Sequence, residues 1–296
     1  MSENYDDGEC FSRAKKVCWT FTGNSFKATG RTTPILPAGF YEVMTDINDD
    51  DYFKSTVMPV PSMNFENHLA DTILKEINHF WNSKNLFELF EQPHRRGVLL
   101  HGPAGTGKST LVYRVCQSVI DRNGICINFP SHISYFKKAI QSFRDIHPDR
   151  PIFVLMEDLD ELYRRIGLSA LTNVIDGTES QGYDNILYLA TTNHLDKLPA
   201  VFTSRPSRFD MVVHVAPPDK KTRLNFLKEL KKKAATVEAM EALPSLDQMV
   251  TDTKGFSFAH LKELFLSVVI FNHSYKDAFA RMKKLVGTDI TAITED

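Results

Sequence analysis

The chain has 296 residues, of which 42% are hydrophobic, and its 35 Lys and Arg residues nearly balance its 37 Asp and Glu residues, giving a formal net charge of −2. This is the composition of a globular protein with room for about two domains. A near-neutral chain has no overall field that would attract nucleic acid or acidic lipid, so such partners would need a local basic patch. No run approaches the roughly 18 apolar residues of a membrane span, and we expect an intracellular, cytoplasmic protein with no membrane partner.

The first 60 residues are predicted to form a small separate segment. Residues 40–47 (FYEVMTDI) and 52–58 (YFKSTVM) alternate between apolar and polar positions, which is the two-residue period of a β-strand. Residues 48–51 (NDDD), an asparagine and three aspartates, form an acidic turn between the two runs, so the pattern predicts a β-hairpin. We expect this segment to lie outside the main domain and to bind a partner.

A glycine-rich motif lies at residues 97–112 (GVLLHGPAGTGKSTLV), where a short apolar run enters a loop that leads into a helical pattern. The loop matches GxxxxGK[ST], the phosphate-binding P-loop, in the required strand, loop and helix context. Its glycines let consecutive backbone amides turn towards a phosphate, and the helix directs its positive end at the same anion. We expect Lys108 to reach the β and γ phosphates of ATP and Ser109 to ligate Mg²⁺. The predicted nucleotide-binding residues are Gly102, Pro103, Ala104, Gly105, Thr106, Gly107, Lys108, Ser109 and Thr110.

Two adjacent acids follow a predicted buried strand in residues 151–162 (PIFVLMEDLDEL). A strand that ends in two acids is typical of the Walker B motif of P-loop ATPases. In its usual order, an aspartate supports the Mg²⁺ shell and the next residue, a glutamate, polarises the attacking water. The two acids are exchanged here, so position assigns the magnesium role to Glu157 and the water role to Asp158. Because the Asp158 carboxylate is one methylene shorter than that of glutamate, its helix or the water would have to come closer.

Polar residues also end the next predicted strand, in residues 185–198 (NILYLATTNHLDKL). The amide of Asn193 can both donate and accept hydrogen bonds, so it could hold the attacking water opposite Asp158. Further along, residues 203–210 (TSRPSRFD) place Arg205 and Arg208 on either side of a proline. Taken alone, such a pair of arginines is typical of a solvated surface turn.

In combination, the motifs GPAGTGKST, LMEDLD, ATTNH and SRPSRFD, followed by TKGFSFAHLKEL at residues 253–264, resemble the AAA subgroup of the AAA+ ATPases. The resemblance covers roughly residues 60–285. It implies an α/β fold with a P-loop and a doubly wound, mostly parallel sheet, followed by a C-terminal helical lid and preceded by the small N-terminal β segment. On this basis residues 61–217 form the nucleotide-binding domain and residues 218–296 form the lid.

The resemblance also implies roles for residues beyond the P-loop. In the subgroup, arginines at this position contact the ATP bound to a neighbouring subunit and are called arginine fingers. By this resemblance Arg205 and Arg208 would be such fingers, which implies a homo-oligomeric ring, expected to be a hexamer. Phe258 stands where the subgroup has glycine, which puts a direct contact between lid and nucleotide in question. The exchanged acids, the TTNH sequence and residues 171–177 (LTNVIDG) are similar to the mitochondrial complex III assembly ATPases and to single-ring prokaryotic or viral AAA proteins.

The substrate-gripping residues have two interpretations. Remodelling members of the family hold polypeptide with an aromatic loop after the second core strand, and by this resemblance Tyr135 and Phe136 are candidate pore residues. Alternatively, Ile133, Phe136 and Ile140 form the apolar stripe of an ordinary helix. Residues 163–165 (YRR) are a second loop candidate and could equally be the end of a surface helix.

Three functions fit these observations. We favour an ATP-driven ring that remodels or assembles a protein partner. The first alternative is a nucleic-acid motor, because residues 135–138 (YFKK) combine the aromatic rings and cations that bind single strands. The second is a slow, nucleotide-gated scaffold that works through assembly.

Overall fold

The computed structural model describes residues 18–22, 25–29, 33–45, 51–58, 60, 68–130, 132–176, 184–205, 208–234 and 243–291. The chain divides into two compact units, residues 1–37 and residues 38–296. In the first unit, strands β1 (Cys18–Thr22) and β2 (Ser25–Thr29) pair antiparallel. All the remaining elements belong to the second unit.

The second unit contains a seven-stranded sheet with the order β4-β3-β6-β7-β8-β5-β9. The strands are β3 (Gly39–Thr45), β4 (Asp51–Thr56), β5 (Arg95–His101), β6 (Ile125–Asn128), β7 (Ile152–Met156), β8 (Ile186–Thr192) and β9 (Met211–His214). Only the pair β3 and β4 is antiparallel, and the other neighbours run parallel. The predicted α/β fold with a mostly parallel sheet is therefore confirmed.

Ten α-helices occur among the described residues. They are α1 (His68–Asn82), α2 (Lys84–Leu89), α3 (Lys108–Ile120), α4 (Ile133–Ile146), α5 (Leu159–Ile166), α6 (Leu168–Asp176), α7 (Lys220–Lys233), α8 (Leu246–Asp252), α9 (Phe258–Val269) and α10 (Tyr275–Thr291). Two short 3₁₀ turns, Leu195–Lys197 and Ala200–Phe202, follow β8. Within the described ranges, no helix is both long enough and apolar enough to span a lipid bilayer.

The predicted hairpin at residues 40–58 is present as β3 and β4, but it differs from the expected separate segment. Residues Gly39 to Glu42 of β3 pair with β6, so the hairpin extends the main sheet. Tyr41 and Val43 are buried because alternate β3 side chains enter the core of this unit. Residues 46–50, which include most of the predicted acidic turn, lie outside the described part of the chain.

Helices cover both faces of the sheet. Val98 and Leu100 of β5 and Leu187 and Leu189 of β8 share a buried cluster with α1 and α3. Tyr188 lies between Leu187 and Leu189, so its side chain is on the opposite face of the sheet. Its hydroxyl donates a 3.4 Å hydrogen bond to the Val174 carbonyl oxygen of α6. This two-sided burial explains why the central strands are continuous apolar runs. Because β5, β7 and β8 pair in parallel, their carboxyl ends lie at one edge of the sheet.

A second hydrophobic cluster lies in the helices after residue 217. Its buried members come from α7, α8, α9, α10 and the segments between them, and they include Phe226, Leu227, Met249, Leu261, Leu264, Phe265 and Val268. The Asp219 side chain begins α7 by accepting a 2.8 Å hydrogen bond from the Thr222 amide. The division between a nucleotide domain and a helical lid at residues 217–218 stays a prediction.

Candidate active site

The loop between β5 and α3 requires glycine at specific positions. Gly102, Gly105 and Gly107 have φ angles of +140°, +72° and +100°. A Cβ atom on Gly102 would lie 2.5 Å from the Val215 carbonyl oxygen, and one on Gly105 would lie 2.4 Å from the Ala259 Cβ. Because glycine has no Cβ atom, it alone can adopt these positive φ angles and come this close to neighbouring atoms without a steric clash.

Lys108 is held beneath this loop at the start of α3. Its Nζ donates hydrogen bonds to the carbonyl oxygens of Gly102 at 2.7 Å and Pro103 at 2.9 Å. Thr106 Oγ1 donates to the same Pro103 oxygen at 3.0 Å, which braces the loop from inside. Burial lowers the pKa of Lys108, and the Asp158 carboxylate opposes this effect. The ammonium and the amino end of α3 make this region positive.

A cavity of about 510 Å³ opens beside the loop, and both polar and apolar side chains line it. Its polar lining includes Lys108, Ser109, Arg114, Glu157, Asp158, Thr191, Asn193 and Lys262. Its apolar lining includes Leu69, Ala70, Val215, Phe226 and Phe258. The cavity therefore offers contacts both to anionic groups and to an apolar ring.

The two exchanged acids both line this cavity at the end of β7. Burial raises the pKa of Glu157, and the charge of Asp158 adds to the effect. Burial also raises the pKa of Asp158, with a further contribution from acids in the first turn of α5, whereas Lys108 lowers it. Asp158 has a left-handed φ of +47°, and its amide donates a 3.3 Å hydrogen bond to Thr191 Oγ1. This bond connects the carboxyl end of β7, where the two acids lie, to the carboxyl end of β8.

The polar end of β8 contains one contact that the sequence analysis did not anticipate. Asn193 and Thr191 line the cavity as part of this strand end. Thr192 instead points into the protein, is fully buried, and donates a 2.7 Å hydrogen bond to Asp160 Oδ1 of α5. Alternation along β8 could have indicated that neighbouring threonines face opposite sides, but not that Thr192 would brace the helix after Asp158.

The lid contacts the P-loop directly. The Ala259 amide donates a 3.4 Å hydrogen bond to the Gly105 carbonyl oxygen. The ring of Phe258 lies 3.5 Å from the position that a Cβ of Gly107 would occupy. It also meets the Phe226 ring edge to face, with the ring centroids 5.1 Å apart. The sequence put a direct contact between lid and nucleotide in question at Phe258, and the structure places the ring of this residue in the lining of the cavity.

The two arginines of residues 203–210 occupy different environments. Arg205 is exposed, and its side chain makes no hydrogen bond or ion pair within the described part of the chain. Arg208 is only 5% exposed and forms an ion pair with Asp176 through contacts of 2.8 to 3.1 Å. This differs from the expectation that both arginines reach a neighbouring subunit, because Asp176 at the end of α6 already engages Arg208. Neither arginine lines the cavity of its own subunit.

The two predicted pore residues also lie in different environments. Phe136 lies in α4, is fully buried, and has its ring centroid 5.0 Å from that of Phe129. The alternative prediction, a core stripe, therefore describes Phe136, which cannot contact a substrate from this position. Tyr135 is half-buried and lines a second cavity of about 520 Å³ together with Arg165. Glu157 lines both cavities.

Comparison with known proteins identifies the domain around this cavity. Residues 98–217 match the model of the ATPase family associated with various cellular activities (AAA). Residues 98–217 are therefore similar to the AAA ATPase family. The matched AAA domain begins within β5, before the P-loop, and ends after β9, so it contains the acids, Asn193 and both arginines.

Curated proteins similar to this chain include three with different names. The chain is 30% identical over 186 residues to a Cell division cycle protein 48 homolog of Archaeoglobus fulgidus, covering 57% of this chain and 24% of the relative. It is 29% identical over 269 residues to the ATP-dependent zinc metalloprotease FtsH of Hahella chejuensis, covering 77% and 42%. It is 28% identical over 174 residues to the Mitochondrial chaperone BCS1 of Homo sapiens, covering 53% and 40%. The matches thus span less than half the length of each of these relatives.

Proposed function

We propose that this protein is a Mg²⁺-dependent ATPase that assembles head to tail into a homo-oligomeric ring, expected to be a hexamer, and uses ATP hydrolysis to remodel or assemble a protein partner. One observation carries the proposal. The P-loop, two acids and Asn193 line one cavity, while the exposed Arg205 lies outside it. Among the described residues, the cations that line the cavity are Lys108, Arg114 and Lys262, whereas the exposed Arg205 has no ion-pair partner.

The loop residues fit the phosphates of ATP. The left-handed glycines and the buried ammonium of Lys108 form a positive cradle at the amino end of α3. The residues that would hold the phosphates are Gly102, Pro103, Ala104, Gly105, Thr106, Gly107, Lys108, Ser109 and Thr110. Mg²⁺, held by Ser109 and Glu157, would neutralise charge on the phosphate oxygens.

The apolar side of the cavity would receive the base and ribose. Phe258 and Phe226 provide aromatic rings there, and a base can stack on such rings. Because the same Phe258 belongs to the lid cluster, binding of the base would hold the lid against the P-loop.

Asp158 and Asn193 would hold the attacking water between them. The Asp158 carboxylate accepts the water proton, and its backbone is fixed by the bond to Thr191 and by the first turn of α5. The amide of Asn193 orients the water from the neighbouring strand. Glu157 remains available for the metal, in keeping with its position at the strand end.

Arg205 of the adjacent subunit would complete the site. It offers an exposed guanidinium with no intramolecular partner among the described residues, and such a group in trans can stabilise the charge that develops on the γ-phosphate. A head-to-tail contact of this kind closes into a ring, so hydrolysis depends on assembly.

Complementation tests this arrangement. Lys108→Ala has a defective pocket and an intact arginine, whereas Arg205→Ala has the opposite defect. Each should be inactive alone. Because Lys108→Ala does not bind ATP, it should enter rings only through the ATP bound by Arg205→Ala subunits, and in such mixed rings up to about a quarter of the interfaces pair an intact pocket with an intact arginine. ATP hydrolysis should therefore return in part on mixing. Full activity of Arg205→Ala alone would contradict the proposal.

The identity of the partner is tested by stimulation of hydrolysis. We expect unfolded protein to raise the ATPase rate, with Tyr135 and the N-terminal residues 1–60 contributing to partner contacts. Burial of Phe136 removes one of the two rings on which a single strand could stack. Stimulation by single-stranded DNA but not by protein would nevertheless favour a nucleic-acid motor, and stimulation by neither would favour a scaffold.

A further inference from the structure

The buried pair of Arg208 and Asp176 has a geometry that suggests a distinct role. Arg208 Nε donates to both carboxylate oxygens of Asp176, at 2.9 and 3.1 Å, and a terminal nitrogen donates at 2.8 Å. Asp176 is itself only 14% exposed and is the last residue of α6. Arg95 of β5 donates to its carbonyl oxygen as well. A planar guanidinium bound in this bidentate way has one fixed orientation.

The remaining contacts of Arg208 lie on both sides of Arg205. Its NH1 donates a 2.9 Å hydrogen bond to the Val201 carbonyl oxygen, which precedes Arg205. Its backbone amide donates a 3.2 Å hydrogen bond to the carbonyl oxygen of Arg205 itself. One residue thus connects the start and the end of the turn that exposes Arg205.

The same turn is also anchored to the strand that carries the P-loop. A Cβ atom on Gly97 of β5 would lie 1.7 Å from the Arg208 carbonyl oxygen, so the two backbones touch. The Gly97 amide donates a 3.3 Å hydrogen bond to Asp210. The Arg205 turn is therefore fixed to both α6 and β5.

We propose that Arg208 is a positioning residue, which acts through its ion pair with Asp176 to hold the turn that presents Arg205 to the adjacent subunit. Only Arg205 then touches the neighbouring nucleotide. This inference rests on the proposed function, because it assumes that Arg205 acts in trans. It differs from a pair of equivalent fingers, since Arg208 could reach a neighbour only by leaving a buried carboxylate without its partner.

The two roles predict opposite effects of removing Asp176. If Arg208 positions the turn, Asp176→Ala should lower kcat for ATP about 10²-fold, as expected for a displaced catalytic group, with little change in KM. Arg208→Ala should resemble it, and the double variant should be no slower than either single variant. If Arg208 is a finger, Asp176→Ala releases it, and activity should stay at the wild-type level or rise. That result would overturn the inference.

Asp176→Ala leaves the buried Arg208 without its partner and could unfold the protein. A second comparison avoids this problem by removing both charges. Arg208→Met combined with Asp176→Leu replaces the ion pair with apolar side chains of similar size, which is often neutral or stabilising. A positioning role predicts higher activity in this double variant than in Arg208→Met alone. A finger role predicts that both are equally inactive, which would also overturn the inference.

Arg205→Ala and Arg281→Ala complete the experiment. Arg205→Ala should lose about 10³-fold or more in kcat without a change in melting temperature. Arg281→Ala breaks the lid ion pair with Glu263 and serves as a control for loss of an ion pair elsewhere. If Arg205→Ala is inactive while Asp176→Ala is normal, only the positioning role fails. If Arg205→Ala is itself normal, the proposed trans site fails instead.

Discussion

Replacing Phe258 by alanine should weaken ATP binding while leaving phosphate binding intact. The ring lines the cavity beside Phe226, and it lies 3.5 Å from the position that a Cβ of Gly107 would occupy. Stacking of a base on an aromatic side chain contributes about 1–3 kcal/mol, so the Kd for ATP should rise about 5- to 150-fold. The folding cost should be modest, because the side chain is only half-buried.

Competition between nucleotides and inorganic tripolyphosphate separates the two ends of the ligand. Calorimetry should show weaker binding of ATP and ADP to Phe258→Ala but an unchanged affinity for tripolyphosphate, which lacks a base. Phe271→Ala removes another phenylalanine of the lid region, one that is 61% exposed and does not line the cavity, and it should leave both affinities unchanged. If tripolyphosphate affinity fell as much as ATP affinity, Phe258 would act on the P-loop rather than on the base, and unchanged ATP binding would refute the contact altogether.

The remaining predictions concern the polar end of the cavity. Lys108→Ala should abolish ATP binding, measured by calorimetry, and nucleotide-dependent assembly, measured by light scattering, while the chain stays folded; unchanged ATP affinity would contradict the proposed pocket. Asp158→Asn should bind ATP and form rings with almost no hydrolysis, whereas Glu157→Gln should mainly raise the Mg²⁺ concentration needed for activity; the reverse pattern would show that chemical identity, not position, assigns the roles. Both acids have raised folded-state pKa values, so ionising them costs stability as pH rises from the unfolded pKa through the folded pKa. Each amide variant should therefore melt at a slightly higher temperature than wild type at neutral pH, with a difference that vanishes in acid; the difference is small because both side chains are exposed and solvent screens their charges, and a lower melting temperature at neutral pH would contradict this. Gly102→Ala should be destabilised and bind ATP poorly, because its Cβ would meet the Val215 carbonyl oxygen at 2.5 Å, and normal stability would show that the loop can relax.

The sequence by itself determined the chemistry of the phosphate end and the class of the fold. A P-loop is a local structure, so its glycines, Lys108 and Ser109 can be identified without knowing what surrounds them. The buried strands before Glu157 and Asn193 were equally evident, because strands covered on both faces are continuous apolar runs. Parallel order then brings their carboxyl ends together at one edge of the sheet.

Only the tertiary structure decided which residues those elements contact. The alternation in residues 40–58 predicted two strands, but pairing with β6 is a long-range contact that a two-residue period does not encode. Tyr135 and Phe136 are adjacent and both aromatic, yet the 3.6-residue helix period places only Phe136 in the core. The lid contact of Phe258 likewise depends on packing between segments far apart in the chain.

The two arginines show the same limit most directly. Arg205 and Arg208 are identical in type, lie three residues apart, and read alike in the sequence. Their difference comes from Asp176, a residue remote in the chain, which the fold brings within 2.8 Å of the Arg208 guanidinium and which Arg205 does not contact. A buried guanidinium requires such a partner because an unpaired charge in the protein interior costs several kcal/mol, whereas an exposed guanidinium is solvated by water. The sequence thus determined that arginines follow the Asn193 strand, and the packing of α6 against their turn decided which one remained exposed.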